Sequence, residues 1–293
     1  MEYPSGHFYQ LTFAGQLSAY LQDGAERLSD PLPVSIPAGA RFWEWTYYEG
    51  TTGVLFCMTN NQVDAAILGE PVPPRWPVPG MAPSSRVYGA TAIIGVTDRP
   101  AILLLGDSRA AGTMGGSIGN DGGNVLPSIS RDFAFINAAV PGETLWQALT
   151  AANHRRSLAR FCSHVVISGG VNDLMGTDAQ QVIETVTRLV ATFPLPVFLV
   201  TVEPFSSGGF QAADGGDQVI NPIFEARRRL YNQAVRDGIP GAAGYFDIAS
   251  LAELPGHPGK WRPGLTEDGL HGNGEFARHV VSSRVISAEV FRR

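Results

Sequence analysis

The stretch from Ala101 to Ser108 constrains the fold more than any other part of the chain. Five apolar residues run without a break into a glycine, an aspartate and Ser108. A short apolar run closed by glycine is typical of a strand buried on both faces of a parallel sheet, and ligands bind outside the carboxyl ends of such strands. Ser108 is therefore a candidate functional residue. Taken alone, the stretch favours a structural turn that caps the next helix.

From Ala101 onward, apolar runs of strand length alternate with segments of helical periodicity. This alternation predicts an α/β domain with a doubly wound, five-stranded parallel sheet. The predicted strands are Ile102–Leu105, Phe133–Asn137, Val165–Ser168, Val197–Val202 and Tyr245–Ile248. The predicted helices are Thr144–Ala159, Asp178–Thr192, Pro222–Arg236 and Gly274–Val290.

The first part of the chain has a different pattern, with a period of two and frequent Gly and Pro. It predicts a smaller β-sandwich or jelly-roll domain over residues 1–98, before an α/β domain over 99–293. The aromatic residues of this part favour a core over a sugar-stacking platform. Residues 69–85 are rich in proline and predict a linker or surface loop. The predicted strands are Phe8–Phe13, Leu17–Leu21, Arg41–Tyr48, Val54–Met58, Val63–Leu68 and Arg86–Val96.

The composition of the chain argues against nucleic acid and a membrane as partners. The formal net charge of −6 gives no basic patch for nucleic acid. No apolar run approaches the length of a membrane span, and no signal segment is recognisable, so a cytoplasmic location is the default expectation. The sequence leaves the oligomeric state open. Cys57 and Cys162 are far apart and predict buried free thiols.

No metal or cofactor is expected. Lys260 is the only lysine and a poor candidate for amine chemistry. Four histidines show no ligand spacing with Asp, Glu or Cys and are interpreted as surface or satisfied residues. They are His154, His164, His257 and His279.

A fifth histidine has a different setting. His271 follows Asp268 by three positions, in a segment that is predicted to be a loop before the last helix. Such pairs are more often structural than catalytic. A serine nucleophile, however, requires a base, a group that orients the base and donors for the oxyanion. Together with Ser108, the pair therefore indicates nucleophilic chemistry.

Four short blocks at the predicted strand ends support this interpretation. They are Gly106-Asp107-Ser108, Asn137-Ala138-Ala139-Val140-Pro141-Gly142-Glu143-Thr144, Gly170-Val171-Asn172-Asp173 and Asp268-Gly269-Leu270-His271. Their types and order resemble those of the SGNH hydrolases, also called GDSL esterases and lipases, from Ala101 to the end of the chain. The resemblance implies a flavodoxin-like fold and ester hydrolysis. It assigns the nucleophile to Ser108, the base and its acid partner to His271 and Asp268, and the oxyanion donors to Ser108, Gly142 and Asn172.

Three positions depart from the family pattern. Arg109 replaces a common leucine, Pro141 a small or polar residue, and Gly272 a common proline. None of them removes a catalytic atom. Arg109 and Pro141 are expected to border the acyl pocket, where they bear on the substrate.

Two further residues imitate the motifs of α/β-hydrolases. Ser117 fits Gly-x-Ser-x-Gly but follows a glycine-rich loop instead of a strand. Asp247, at the end of the fifth predicted strand, has the chain order to orient a histidine, yet a structural cap is the favoured interpretation.

The predicted function is a metal-free serine esterase that acts through an acyl-enzyme. The segments 110–123 and 203–210 contain few aliphatic residues, which indicates short acyl chains and no lipid-binding lid. The substrate is expected to be a small-molecule or carbohydrate ester. Alternatives are an acyltransferase or an O-acetyl-carbohydrate deacetylase with the same residues, or an inactive carbohydrate-binding protein.

Overall fold

The computed structural model divides the chain into two compact units, residues 1–93 and 94–293. It describes residues 1–22, 25–37, 40, 42–44, 46, 65–66, 82–83, 90, 92–114, 117–118 and 123–292. The predicted domain boundary after residue 98 stays a prediction. Among the described residues, no helix combines the length and the apolar character needed to cross a bilayer.

The strands and helices are as follows, in chain order. The strands are β1 Ala65–Ala66, β2 Ala82–Pro83, β3 Ala101–Gly106, β4 Thr113–Met114, β5 Ser117–Ile118, β6 Ala134–Asn137, β7 His164–Ser168, β8 Val197–Val200, β9 Ser206–Gly208, β10 Gln218–Ile220 and β11 Gly244–Phe246. The helices are α1 Ser108–Ala111, α2 Leu126–Asp132, α3 Leu145–Thr150, α4 Asn153–Ser157, α5 Val171–Gly176, α6 Ala179–Val190, α7 Pro222–Asp237, α8 Ile248–Ala252 and α9 Gly274–Ser283. Leu158–Phe161 and Val290–Arg292 form 3₁₀ turns.

The main sheet of the second unit has the strand order β11-β8-β7-β3-β6, and every pairing is parallel. β3 lies between β6 and β7, with Leu104 in register with Asn137 on one side and Val166 on the other. This confirms the predicted doubly wound, five-stranded parallel sheet. The carboxyl ends of β6, β3 and β7 are therefore neighbours.

The apolar run in β3 exists because helices cover both faces of the sheet. Leu103 and Leu105 belong to one core, and Ile102 and Leu104 belong to the other. All four side chains are completely buried. Each contributes about 1.5–3 kcal/mol of burial free energy. The first core includes Leu145, Val182, Val186, Phe224 and Tyr231, and the second includes Leu126, Ile129, Phe276 and Val280.

Two predicted helices are shorter than expected. The segment Thr144–Ala159 is divided among α3, α4 and a 3₁₀ turn, and the Arg156 guanidinium bonds the carbonyl oxygens of Ala148 and Leu149 that the end of α3 leaves free. The last helix ends at Ser283, since Arg284 adopts a left-handed conformation with φ of 54°. The last predicted strand is also too long, because Asp247 begins the cap of α8.

Two predicted strands of the first unit are wrong. Phe8–Phe13 and Leu17–Leu21 form no strand, and Phe8 and Phe13 take part only in isolated bridges. Leu17 and Tyr20 are 73% and 80% exposed, so the alternating pattern buries no apolar face. Asp30 instead accepts from the hydroxyl of Thr12 and the amides of Ala14 and Gly15.

The other predictions for the first unit fall largely outside the described residues. Val54–Met58 lies wholly outside them, as do half of Arg41–Tyr48 and most of Val63–Leu68 and of the proline-rich segment. The exceptions in the last two are β1 and β2, which pair antiparallel. Residues 92–96 at the end of Arg86–Val96 form no strand. The β-sandwich or jelly roll stays a prediction.

Candidate active site

Ser108 is the first residue of α1, at the carboxyl end of the central strand β3. The turn between them is tight: Gly106 has a φ of 153°, and a Cβ there would lie 1.9 Å from the Ser168 carbonyl oxygen of β7. Only glycine permits this approach. The Asp107 side chain caps α1 by accepting from the Arg109 amide at 2.9 Å. Strand and cap together hold Ser108 at the edge of the sheet.

Ser108 and His271 lie in contact although they are 163 positions apart in the chain. The Ser108 Oγ to His271 Nε2 distance is 2.9 Å, and His271 Nδ1 lies 2.7 Å from Asp268 Oδ2. Because an ionised carboxylate can only accept, Nδ1 carries the proton and Nε2 accepts from the serine hydroxyl. This is the geometry that a serine nucleophile and its base require.

The Asp268 carboxylate is held in its charged form. Its other oxygen accepts from the backbone amides of Leu270 and His271 at 2.8 and 2.7 Å. Partial burial acts to raise the pKa of Asp268, but the hydrogen bonds from His271 and Leu270 outweigh it and hold the pKa below its ordinary value. Asp268 therefore stays ionised and orients the imidazole across the neutral range.

The loop that carries Asp268 and His271 is fastened by buried groups. Trp261, fully buried, donates from Nε1 to the Gly269 carbonyl at 2.9 Å, and the Ser206 amide donates to the same oxygen at 3.1 Å. The Thr266 hydroxyl donates to the His271 carbonyl at 2.7 Å and accepts from the Gly269 amide. Sequence reasoning missed Trp261, Thr266 and Ser206, whose contacts no local motif signals.

The two remaining predicted donors follow the strands on either side of β3. Gly142 lies in the turn after β6, and Asn172 lies in α5 after β7. Asn172 Nδ2 donates to the carbonyl of Glu143 at 2.9 Å, which joins the two segments. An amide NH₂ has two hydrogens, so one remains for a further acceptor. The structure thus brings Asn172 against the residue next to Gly142.

The turn with Gly142 is held by charged residues that the sequence did not single out. Glu143 is buried and paired with Arg155, whose guanidinium also donates to the Ala138 carbonyl at 2.8 Å. Asp173 accepts from the amides of Leu145 and Trp146 at the start of α3. Burial raises the pKa of Asp173. The only sequence signal for Asp173 was its place beside Asn172.

The prediction that Arg109 borders the acyl pocket is wrong. The side chain is 3% exposed, and its guanidinium is engaged by buried partners that include Glu203, at 2.9 Å. Pro141 is exposed beside Gly142, so its predicted place at the pocket stays a prediction. The presence of glycine at position 272, where the family commonly has proline, has a steric reason. A Cβ there would lie 2.1 Å from the Phe276 ring.

The structure also places the two residues that fit α/β-hydrolase motifs, Ser117 and Asp247. Ser117 begins β5, which pairs with β4 outside the main sheet, and its side chain lies outside the described residues. Asp247 caps α8 and pairs with Arg236 at 2.9 Å. It is a structural cap, as the sequence favoured.

Ser108, His271 and Asp268 have no hydrogen bond to the described Cys162, His164 or His279. Cys162 is a free, half-buried thiol whose pKa burial raises to about 11, and Cys57 lies outside the described residues. His164 contacts Ser163, and the half-buried His279 has no partner for Nε2. Within the described part of the chain, no group of three His, Cys, Asp or Glu side chains is placed to hold a metal ion.

Comparisons with known proteins identify the family of the chain and several similar structures. Residues 104–278 match the model of the GDSL-like lipase/acylhydrolase family. A comparison with curated proteins finds no match. Similar solved structures include a protein from Desulfitobacterium hafniense DCB-2 described as belonging to the G-D-S-L family of lipolytic proteins. It is 14% identical, covers 64% of this chain and 99% of its own, and has a TM-score of 0.49.

Two further structures are of esterases. The acetylxylan esterase of Geobacillus stearothermophilus is 17% identical, with coverage of 65% of this chain and 94% of its own and a TM-score of 0.44. A psychrotrophic esterase from Pseudoalteromonas sp. is 19% identical, with coverage of 65% and 97% and a TM-score of 0.43.

Proposed function

The chain belongs to the GDSL-like lipase/acylhydrolase family and is an ester-hydrolysing enzyme; on this premise we propose that it hydrolyses short-chain carboxylic esters through a serine acyl-enzyme. One observation carries the proposal. A continuous line of hydrogen bonds runs from Asp268 through His271 to Ser108, with distances of 2.7 and 2.9 Å.

In the first half of the proposed reaction, Ser108 Oγ attacks the ester carbonyl carbon while His271 Nε2 takes the hydroxyl proton. The carbonyl oxygen becomes an oxyanion, which accepts from the backbone amides of Ser108 and Gly142 and from Asn172 Nδ2. Asp268 stabilises the imidazolium that forms. When the tetrahedral intermediate collapses, the bond to the alcohol breaks and His271 returns the proton to the departing oxygen.

The second half repeats these steps with water. His271 takes a proton from water as its oxygen attacks the acyl carbon, and the same donors hold the oxyanion. Collapse breaks the bond to Ser108 Oγ, which recovers its proton from His271. The products are the carboxylic acid and free enzyme. An acceptor alcohol in place of water gives acyl transfer with the same residues.

The proposed preference for short acyl chains rests on the segment after β8. Glu203 and Pro204 are bonded through the Arg109 guanidinium, and Ser206–Gly208 is paired in the β9–β10 hairpin. A segment fastened in this way is poorly suited to act as an apolar lid. Without such a lid, each added methylene gains little of the roughly 0.8 kcal/mol that burial provides.

The test is a panel of nitrophenyl esters from acetate to decanoate, measured with wild type, Ser108→Ala and the control Ser117→Ala. We expect the specificity constant to be highest between acetyl and butyryl and to fall beyond about six carbons. Ser108→Ala should abolish turnover, and Ser117→Ala should retain it. Full activity of Ser108→Ala would refute the acyl-enzyme, and a maximum at eight carbons or longer would refute the short-chain preference. Acceptor alcohols in the same assay distinguish transfer from hydrolysis.

A further inference from the structure

Arg109 directly follows the proposed nucleophile, and its guanidinium is enclosed in the protein. Nε donates to the Leu270 carbonyl at 2.8 Å, and Nη2 donates to the Pro204 carbonyl at 2.8 Å. Nη1 donates to both the carbonyl and the carboxylate of Glu203, at 3.0 and 2.9 Å. The Arg109 side chain therefore joins its own turn to two segments that are distant in the sequence, 203–204 and the loop that contains Leu270.

The main chain of Arg109 is fixed as firmly as its side chain. Its amide donates to Asp107, and its carbonyl accepts from the Asn124 amide at 3.1 Å. Gly123 packs so closely that a Cβ there would lie 2.4 Å from that carbonyl oxygen. The guanidinium is thus anchored to the turn that carries Ser108.

The acceptors of the guanidinium lie against the histidine loop. Leu270 immediately precedes His271, and the segment from Glu203 to Ser206 contacts the same loop. A Cβ on Gly269 would lie 1.8 Å from the Ser206 carbonyl oxygen, so these two segments pack without a gap. A displacement at the guanidinium would therefore move His271 relative to Ser108.

We propose that Arg109 is a positioning residue, which sets the distance between Ser108 Oγ and His271 Nε2 by tying the serine turn to the histidine loop. This inference rests on the proposed function of that pair. The planar guanidinium suits the task because it directs several donors in fixed directions, whereas a lysine ammonium concentrates its charge at one point. Leucine, common in the family at this position, provides no donor.

The first test compares Arg109→Lys with Arg228→Lys. Arg228 is a matched control, because it is buried like Arg109 and paired with Glu225 and Glu253. Its other hydrogen bond goes to the Val202 carbonyl at 3.0 Å and not to the histidine loop. Arg109→Lys keeps a charge for Glu203 but cannot reach the carbonyls of Leu270 and Pro204 together. A misplacement of about 1 Å can cost roughly 10²-fold in rate.

We expect Arg109→Lys to lower kcat by about 10²-fold with KM within about threefold, since His271 acts in both halves of the reaction. The rate constant for inactivation by a serine-reactive phosphonate should fall by the same factor. Arg228→Lys should lower the melting temperature about as much as Arg109→Lys does. It should leave kcat and the rate constant for phosphonate inactivation near their wild-type values.

A second variant separates positioning from folding. Arg109→Met with Glu203→Met removes both buried charges, so it leaves neither one unpaired. We expect a cooperatively folded protein whose kcat and phosphonate reactivity are as low as those of Arg109→Lys.

Wild-type rates in that folded double variant would overturn the proposal, as would an effect of Arg109→Lys confined to KM or to thermal stability. These outcomes are separate from a failure of the proposed function, which would appear as full activity of Ser108→Ala in otherwise wild-type protein.

Discussion

The two sides of the candidate active site are built differently. On the proposed oxyanion side, Gly142 and Asn172 follow β6 and β7, the strands on either side of β3. The supporting contacts there involve Glu143, Asp173 and Arg155 and span 12 to 29 positions of the chain. On the proposed proton-transfer side, the loop from Asp268 to His271 depends on residues far away. The bond between Arg109 and Leu270 spans 161 positions, and that between Ser108 and His271 spans 163.

The two sides also differ in the burial and the pKa of their carboxylates, Asp173 and Asp268. Asp173 is buried, and burial raises its pKa. Asp268 has a side chain that is 46% exposed, and hydrogen bonds hold its pKa below the ordinary value in spite of partial burial. The oxyanion side thus uses a carboxylate as a buried cap on α3, whereas the proton-transfer side keeps one charged beside a histidine.

The largest effect should come from the proton-transfer side. His271→Ala removes the proposed base for both halves of the reaction, so kcat should fall by about 10⁴-fold or more. Steady-state hydrolysis of nitrophenyl acetate measures this loss. If His271→Ala cost less than removal of an oxyanion donor, the contrast between the two sides would be reversed.

The oxyanion side should yield a smaller loss. Asn172→Ala removes the proposed oxyanion donor, which would act mainly in the transition state, so kcat should fall by roughly 10²- to 10³-fold with little change in KM. The same assay applies. A change confined to KM would make Asn172 a residue that binds the ground state of the substrate.

The smallest effect concerns stability at Asp107, which lies between the two sides. Burial raises the pKa of Asp107 from 3.8 to about 7 against the opposing effect of Arg109, so the folded protein holds this proton more tightly than the unfolded chain. Its stabilising contribution is therefore complete below about pH 4 and is lost as the pH rises through about 7. Asp107→Asn keeps a good helix cap and removes the ionisation.

Thermal unfolding of wild type and Asp107→Asn at pH 5 and pH 8 checks this dependence. The variant should gain in melting temperature relative to wild type at pH 8, and the gain should be smaller at pH 5. An equal difference at both pH values would show that Asp107 does not titrate in this range.

The candidate residues on both sides could be nominated from the sequence. The apolar run of β3 pointed to Ser108, because the end of a strand is a local feature, and the family resemblance of the short blocks assigned Gly142 and Asn172. His271 and Asp268 could also be nominated, because they lie three positions apart.

The supports of the histidine loop could not be predicted in this way. The roles of Arg109 and Trp261 depend on backbone carbonyls brought near by the fold, and a carbonyl leaves no trace in the residue type. The failed strands of the first unit have a related cause. Alternation around Leu17 and Tyr20 indicates a pleated face, but it does not provide a partner to bury that face.

The most direct test of the account is to identify the residue that a serine-reactive phosphonate modifies. The wild-type enzyme should be inactivated with one label per chain, and peptide mapping by mass spectrometry should find that label on Ser108. His271→Ala, which lacks the base, should be labelled far more slowly. A label on Ser117 or on any other serine in the inactivated enzyme would contradict the assignment of Ser108 as the nucleophile.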